Sequence, residues 1–178
     1  TLDKQSTIKR AFGIVDWSGL PLEYLSKDEE HNLKLSVEWL DKDGMKMNPA
    51  NVKQGQSFWA HFKVNKLPGY RGKIEEIALV QVLPSGWEID NTRLSGEANP
   101  AWMKAWHLKR EEYLDIRDDR IMWFFDLPSY RNSYMDFVVK INAVTAGEFT
   151  LPPTLLEAMY NNSYRASKAG RKVIVQER

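Results

Sequence analysis

The sequence predicts an all-β domain, an antiparallel β-sandwich of immunoglobulin- or fibronectin-like architecture, and three observations carry that reading. Apolar residues recur with a period of two in several short segments, and Gly, Pro or Asp turns separate these segments. No stretch shows the spacing of a convincing amphipathic helix. The chain of 178 residues fits one large domain or one domain with an appended subdomain, and its 43% hydrophobic content is enough for a core. Residues 33–178 are read as the sandwich. Residues 1–32 are read as an N-terminal strand and charged loop, either part of the same domain or including a strand exchanged with a preceding one.

In chain order, Ile8 to Ile14 suggests an early strand, Gly19-Leu20-Pro21 breaks it, and Ser26 to His31 reads as a charged loop. Leu33, Leu35, Val37 and Trp39 alternate with Lys34, Ser36 and Glu38, and the strand ends at Asp41-Lys42-Asp43-Gly44, whose Asp-Gly step favours a tight reversal. After a turn at Gln54-Gly55-Gln56, Phe58, Ala60, Phe62 and Val64 share one face while Trp59, His61 and Lys63 share the other. Ile77 to Leu83 is almost uninterrupted in apolar character, which predicts a strand covered on both sides and ended by Pro84-Ser85-Gly86. Asn91 to Leu108 holds Pro100, Trp102, Met103 and Trp106, a pattern open to a short helical turn or a long loop, and it is left irregular. Glu112 to Ile116 and Ile121 to Leu127 flank Arg117-Asp118-Asp119-Arg120 as a hairpin with a charged tip. Phe137, Val139, Ile141 and Ala143 alternate inward, and Val173 to Gln176 supplies the last strand.

The segment from Phe149 to Tyr160 is the most informative. Pro152 and Pro153 forbid a regular helix or central strand through that point, so the apolar residues after them are expected on a shaped loop. Met159 and Tyr160 on such a loop are either core filler or a contact surface.

Composition and motifs exclude much chemistry. The absence of cysteine removes disulfides, thiol nucleophiles and any thioester formed within these residues. Lys plus Arg number 25 against 24 Asp plus Glu, so no net field recruits nucleic acid. The longest apolar run, Ile121 to Phe125, is far below the roughly 20 residues of a membrane helix, so no membrane insertion is expected. Thr1 to Ser6 is no signal peptide, and a start without Met suggests an excised fragment. Asp118 and Asp119 each have an Arg beside them and read as a solvated turn rather than an acid/base pair. His31, His61 and His107 lack paired ligand spacing, so no metal or cofactor is expected. Seven Trp could form a sugar-stacking platform from Trp59, Trp87, Trp102, Trp106 or Trp123, but core filling is the default. Asn161-Asn162-Ser163 matches a glycosylation acceptor, a pattern that also arises by chance.

Several segments in order resemble one family. Leu83-Pro84-Ser85-Gly86-Trp87-Glu88-Ile89, Arg117-Asp118-Asp119-Arg120, and Ala143 to Phe149 running through Leu151-Pro152-Pro153 to Glu157-Ala158-Met159-Tyr160 are similar, in order and spacing, to the C-terminal macroglobulin-like domain of bacterial α2-macroglobulins. Ser85 and Trp87 stand where Ala and Phe are commoner in the family. The resemblance implies a non-enzymatic domain of a broad-range endopeptidase inhibitor, a large periplasmic or cell-surface protease trap that is often a membrane-anchored lipoprotein. It implies partners within one parent chain, a thioester domain and further macroglobulin-like domains, with target proteases met through the parent. It also implies that Met159 and Tyr160 lie over the reactive bond while Pro152 and Pro153 stiffen the approach. A free-standing adhesion or carbohydrate-binding sandwich is the alternative.

Overall fold

A computed structural model describes residues 13–16, 18, 27–69, 72–90, 100–106, 108, 112–130 and 133–178. Among them are thirteen strands: β1 (Glu29–His31), β2 (Leu33–Leu40), β3 (Asn51–Lys53), β4 (Ser57–Lys66), β5 (Ile74–Val82), β6 (Trp87–Asp90), β7 (Tyr113–Ile116), β8 (Arg120–Leu127), β9 (Tyr134–Ala143), β10 (Gly147–Leu151), β11 (Thr154–Ala158), β12 (Arg165–Lys168) and β13 (Arg171–Gln176). They form a six-stranded sheet in the order β1-β12-β11-β5-β8-β7, a four-stranded sheet β2-β4-β9-β6, and a three-stranded sheet β10-β13-β3. Every pairing is antiparallel except β13 with β3. This is the antiparallel sandwich that the sequence predicts.

The period of two explains why the sheets meet. Phe58, Ala60, Phe62 and Val64 of β4, Met135, Phe137, Val139, Ile141 and Ala143 of β9, and Ile121, Trp123, Phe125 and Leu127 of β8 all point into one core and are buried. Aromatic pairs bridge the two larger sheets, with ring centroids 5.3 Å apart for Phe62 and Trp123 and 4.6 Å for Phe125 and Phe137. Trp39, Phe58 and Trp87 close one part of this core with tilted and edge contacts at 4.9 to 6.1 Å. One polar pair is buried between β5 and β11. The Thr154 hydroxyl donates to Gln81 Oε1, and Gln81 Nε2 donates to the Val82 carbonyl at 2.7 Å. Satisfying both groups favours the register that sets Thr154 opposite Gln81.

Several expectations change. The charged loop Ser26 to His31 contributes β1, which pairs with β12 at the sheet edge; Ser26 itself lies outside the described residues. Of the early strand Ile8 to Ile14, residues 8–12 lie outside the described residues, and Gly13 and Ile14 belong to no strand and are exposed. β5 is central in its sheet, yet it is not covered on both sides: Val80 and Val82 are only half-buried. Its apolar run reflects a partly covered outer sheet face, on which Ala78 is buried and Val80 and Val82 are half-buried, rather than a full second covering layer. In the irregular region, Ala101–Ala105 is a 3₁₀ turn that lays Trp102, Met103 and Trp106 on the outer face of the four-stranded sheet against Leu40 and Trp59. There Trp106 stacks on His61 at 3.9 Å, and His61 Nε2 hydrogen-bonds Asp136 Oδ1 at 2.8 Å. Residues 91–99 and His107 lie outside the described residues.

The largest correction concerns the residues after the prolines. Thr154–Ala158 is β11, an interior strand between β12 and β5, and not a loop. β10 pairs with β13 and β11 pairs with β12, so together they make one two-stranded ribbon that leaves the three-stranded sheet and enters the six-stranded one. The change of sheet falls between Leu151 and Thr154 on one side and between Lys168 and Arg171 on the other. Pro152 and Pro153 carry no N–H and occupy the gap in the ladder, where none is used. Across the bend, a Cβ at Gly170 would lie 2.7 Å from the Leu151 carbonyl oxygen, so the two backbones approach too closely for any other residue.

Gly86 shows a second close approach, because a Cβ there would lie 2.3 Å from the ring of Phe149. Gly86→Ala is therefore expected to destabilise the chain by about 1–3 kcal/mol, as overpacking does. The measurement is urea unfolding, and combining the change with Phe149→Leu should restore part of the loss.

Candidate functional site

β11 and β12 are joined by Met159 to Tyr164, the tip of the ribbon. Three backbone bonds fix its path: Ala158 N–H donates to the Tyr164 carbonyl at 2.9 Å, Asn161 N–H to Ala158 at 3.0 Å, and Tyr164 N–H to Asn161 at 3.0 Å. Asn161 Oδ1 accepts the Ser163 N–H at 3.1 Å, an Asx turn inside the tip. The aromatic residues then divide. Tyr164 packs against the main core, whereas Tyr160 is 86% exposed and Met159 40% exposed. Their side chains do not fill this sandwich. An open recess of about 580 Å³ lies beside them, lined also by His31, Asn32 and Arg165.

Neighbouring strands hold the tip on both flanks. On the β5 side, Met159 N–H donates to the Glu76 carbonyl at 2.9 Å. Glu76 lies in an irregularity of the β5–β8 pairing between Ile74 and Ile77, with φ +54°. Its N–H donates to Asp126 Oδ1 at 2.9 Å, and Asp126 Oδ2 lies 2.6 Å from Lys73 Nζ. On the β1 side, Asn32 has φ +58° and donates from Nδ2 to the Ser163 carbonyl at 2.8 Å. Burial acts to raise the Asp126 pKa, but the Lys73 ammonium and the Glu76 N–H outweigh it, so the carboxyl titrates below its usual range.

The four residues singled out from the sequence do not form one patch. Pro152 and Pro153 sit half-buried at the ribbon bend, while Met159 and Tyr160 sit at the far end of β11. Five residues at 3.3 Å per residue put about 17 Å between them. The prolines therefore act on the direction of the ribbon. The sequence does not single out Asn32 or Glu76, which hold the tip from its two flanks. The only sequence signal was Asn32, a residue tolerant of left-handed backbone set between two strands; nothing in the sequence marks Glu76.

Other candidates take structural places. Asp118 and Asp119 sit in the turn between β7 and β8, where Asp119 pairs with Arg120 at 2.7 Å. Among the described residues no group of three His, Cys, Asp or Glu side chains could hold a metal ion. Trp59, Trp87 and Trp123 are buried, and Trp102 and Trp106 are half-buried in contact with each other at 5.3 Å. No helix among the described residues is long and apolar enough to cross a membrane.

The three sheets and their order make a macroglobulin-like β-sandwich. The sequence profile of the Bacterial Alpha-2-macroglobulin MG10 domain matches residues 33–162, and the chain belongs to that family. The chain is 28% identical over 161 residues to an alpha-2-macroglobulin of Xylella fastidiosa, an alignment covering 84% of this chain and 9% of that protein. It is similar in fold to Salmonella alpha-2-macroglobulin reacted with methylamine, with TM-score 0.72 and 21% identity, over 89% of this chain and 10% of that one. The native conformation of Escherichia coli alpha-2-macroglobulin gives the same TM-score, identity and coverage. The chain thus spans about a tenth of the length of these relatives.

The flank of the tip carries a pH dependence. Because the folded pKa of Asp126 is depressed, the stability it contributes is present above the unfolded value of about 4 and is lost as pH falls through the folded one. Asp126→Asn should lower stability at neutral pH and flatten the acid limb. Denaturant midpoints followed from neutral pH down to about pH 2.5 test this.

Proposed function

We propose that this chain is the C-terminal domain of a longer α2-macroglobulin-type inhibitor of broad endopeptidase specificity, and that its ribbon tip docks on the thioester domain of the same parent and shields the thioester. The parent would work in the periplasm or at the cell surface, anchored as a lipoprotein. The domain supplies no catalysis. The observation that carries this reading is a single tyrosine, 86% exposed, at the end of a hydrogen-bonded hairpin.

Tyr160 offers a large amphipathic surface with few rotors, and Met159 beside it is flexible enough to fill an irregular gap. Such a pair suits a dry contact between domains. A thioester needs that dryness. When an amine attacks its carbonyl carbon, an amide C–N bond forms, the C–S bond breaks, and the sulfur leaves as a thiol carrying the amine's proton. Excluding water and small amines suppresses that reaction until the parent rearranges. The chain has no cysteine, so the protected bond lies in another domain. The similarity to a Salmonella protein solved after reaction with methylamine supports the choice of probe.

In the parent, Tyr160→Gly and the double change Met159→Ala/Tyr160→Gly should speed methylamine consumption by about tenfold or more, equal to about 1.4 kcal/mol of lost protection. The release of free thiol reports the rate. Unfolding of the 178-residue chain should shift by less than about 0.5 kcal/mol, because these side chains are outside the core. An unchanged rate in both variants contradicts the shielding role.

A further inference from the structure

Asn32 and Glu76 are the two non-glycine residues with left-handed φ among the described residues, and both hydrogen-bond the tip. They come from opposite sides: in the six-stranded sheet the β11–β12 hairpin lies between β5, which carries Glu76, and β1, which Asn32 follows. Left-handed backbone is unfavourable for residues with a Cβ, and it persists where the surroundings over-determine it, commonly at ligand clamps. Glu76 is exposed, so its own side chain supplies no packing reason for the conformation. What the conformation does supply is a carbonyl aimed at the Met159 N–H, with its own N–H held by Asp126.

Asn32 acts across 131 positions of sequence. Its amide grips the Ser163 carbonyl while Asn161 grips the Ser163 N–H, so both peptide planes at Ser163 are fixed. The hydrogen bonds inside the tip shape its turn but do not tie it to the neighbouring strands, and few of its side chains pack, with Tyr164 alone of its aromatic residues joining the core.

We propose that Asn32 and Glu76 are positioning residues that clamp the tip from both flanks, holding Tyr160 in its docking geometry before the partner arrives. The proposal rests on the docking reading above and adds how the contact is made specific: ordering is completed within this chain, so docking need not supply it.

The test uses Asn32→Gly and Asn32→Asp, two changes that both tolerate left-handed φ and both remove the Nδ2 donor. In the 178-residue chain, ¹⁵N relaxation should show order parameters at Tyr160 and Asn162 falling from about 0.85 to below about 0.6, with the strands unchanged. Asp126→Ala, which frees the Glu76 N–H, should speed hydrogen exchange at Met159. In the parent, the Asn32 variants should speed methylamine consumption several-fold, short of the Tyr160→Gly effect. Unchanged order parameters overturn the clamp. Loosened tips without acceleration, in a parent where Tyr160→Gly does accelerate, overturn its role in docking. A parent in which Tyr160→Gly changes nothing removes the docking reading, and the positioning role falls with it.

Discussion

The ribbon of β10–β11 and β12–β13 belongs to two sheets, and its bend is the constraint on which the remaining architecture depends. A straight ribbon would keep β11 in the three-stranded sheet and leave β5 with an open edge. Bending at Pro152-Pro153 lets β11 fill the place between β12 and β5, sets Thr154 against the buried Gln81, and aims the hairpin tip beyond the sheet. The bend needs missing donors on one strand and a missing side chain on the other. Proline supplies the first, and Gly170, packed against the Leu151 carbonyl, supplies the second.

Two kinds of order follow from this arrangement. In the sandwich, order comes from burial: aromatic residues of β4, β8 and β9 interdigitate across the two larger sheets, and each is worth about 1.5–3 kcal/mol when buried. At the tip, burial is small, and order comes from hydrogen bonds, those within the turn and those reaching it from Asn32 and Glu76, both in left-handed backbone. The core can therefore carry the strain that the tip requires. Outside the tip, the six-stranded sheet presents Leu155, Val80 and Val82 on its outer face, half-buried or exposed.

Strands with one wet and one dry face were legible in the sequence, because alternation is a direct record of that asymmetry. β2, β4, β9 and the β7–β8 hairpin emerged with their turns for this reason. The motif order from Leu83 to Tyr160 also sufficed to place the family. Elsewhere, local signals misled. Two prolines before Thr154 read as the start of a loop, since sequence shows the missing donors but not the change of sheet that makes them harmless. β1 is short, charged and at an edge, so it carries no alternation. Ile77 to Leu83 is apolar on both faces, and sequence alone cannot distinguish a buried outer face from an exposed one. Asn32 and Glu76 owe their roles to partners far along the chain, Ser163 and Met159, which no local pattern reveals.

The proposed docking brings Tyr160 into contact with the thioester domain of its parent. A photoreactive phenylalanine analogue placed at position 160 of the parent measures this contact directly. Irradiation followed by peptide mapping should recover cross-links to the segment that carries the thioester, and they should vanish once methylamine has consumed it and the domains have rearranged. Cross-links confined to this domain, or unchanged by methylamine, would rule that contact out.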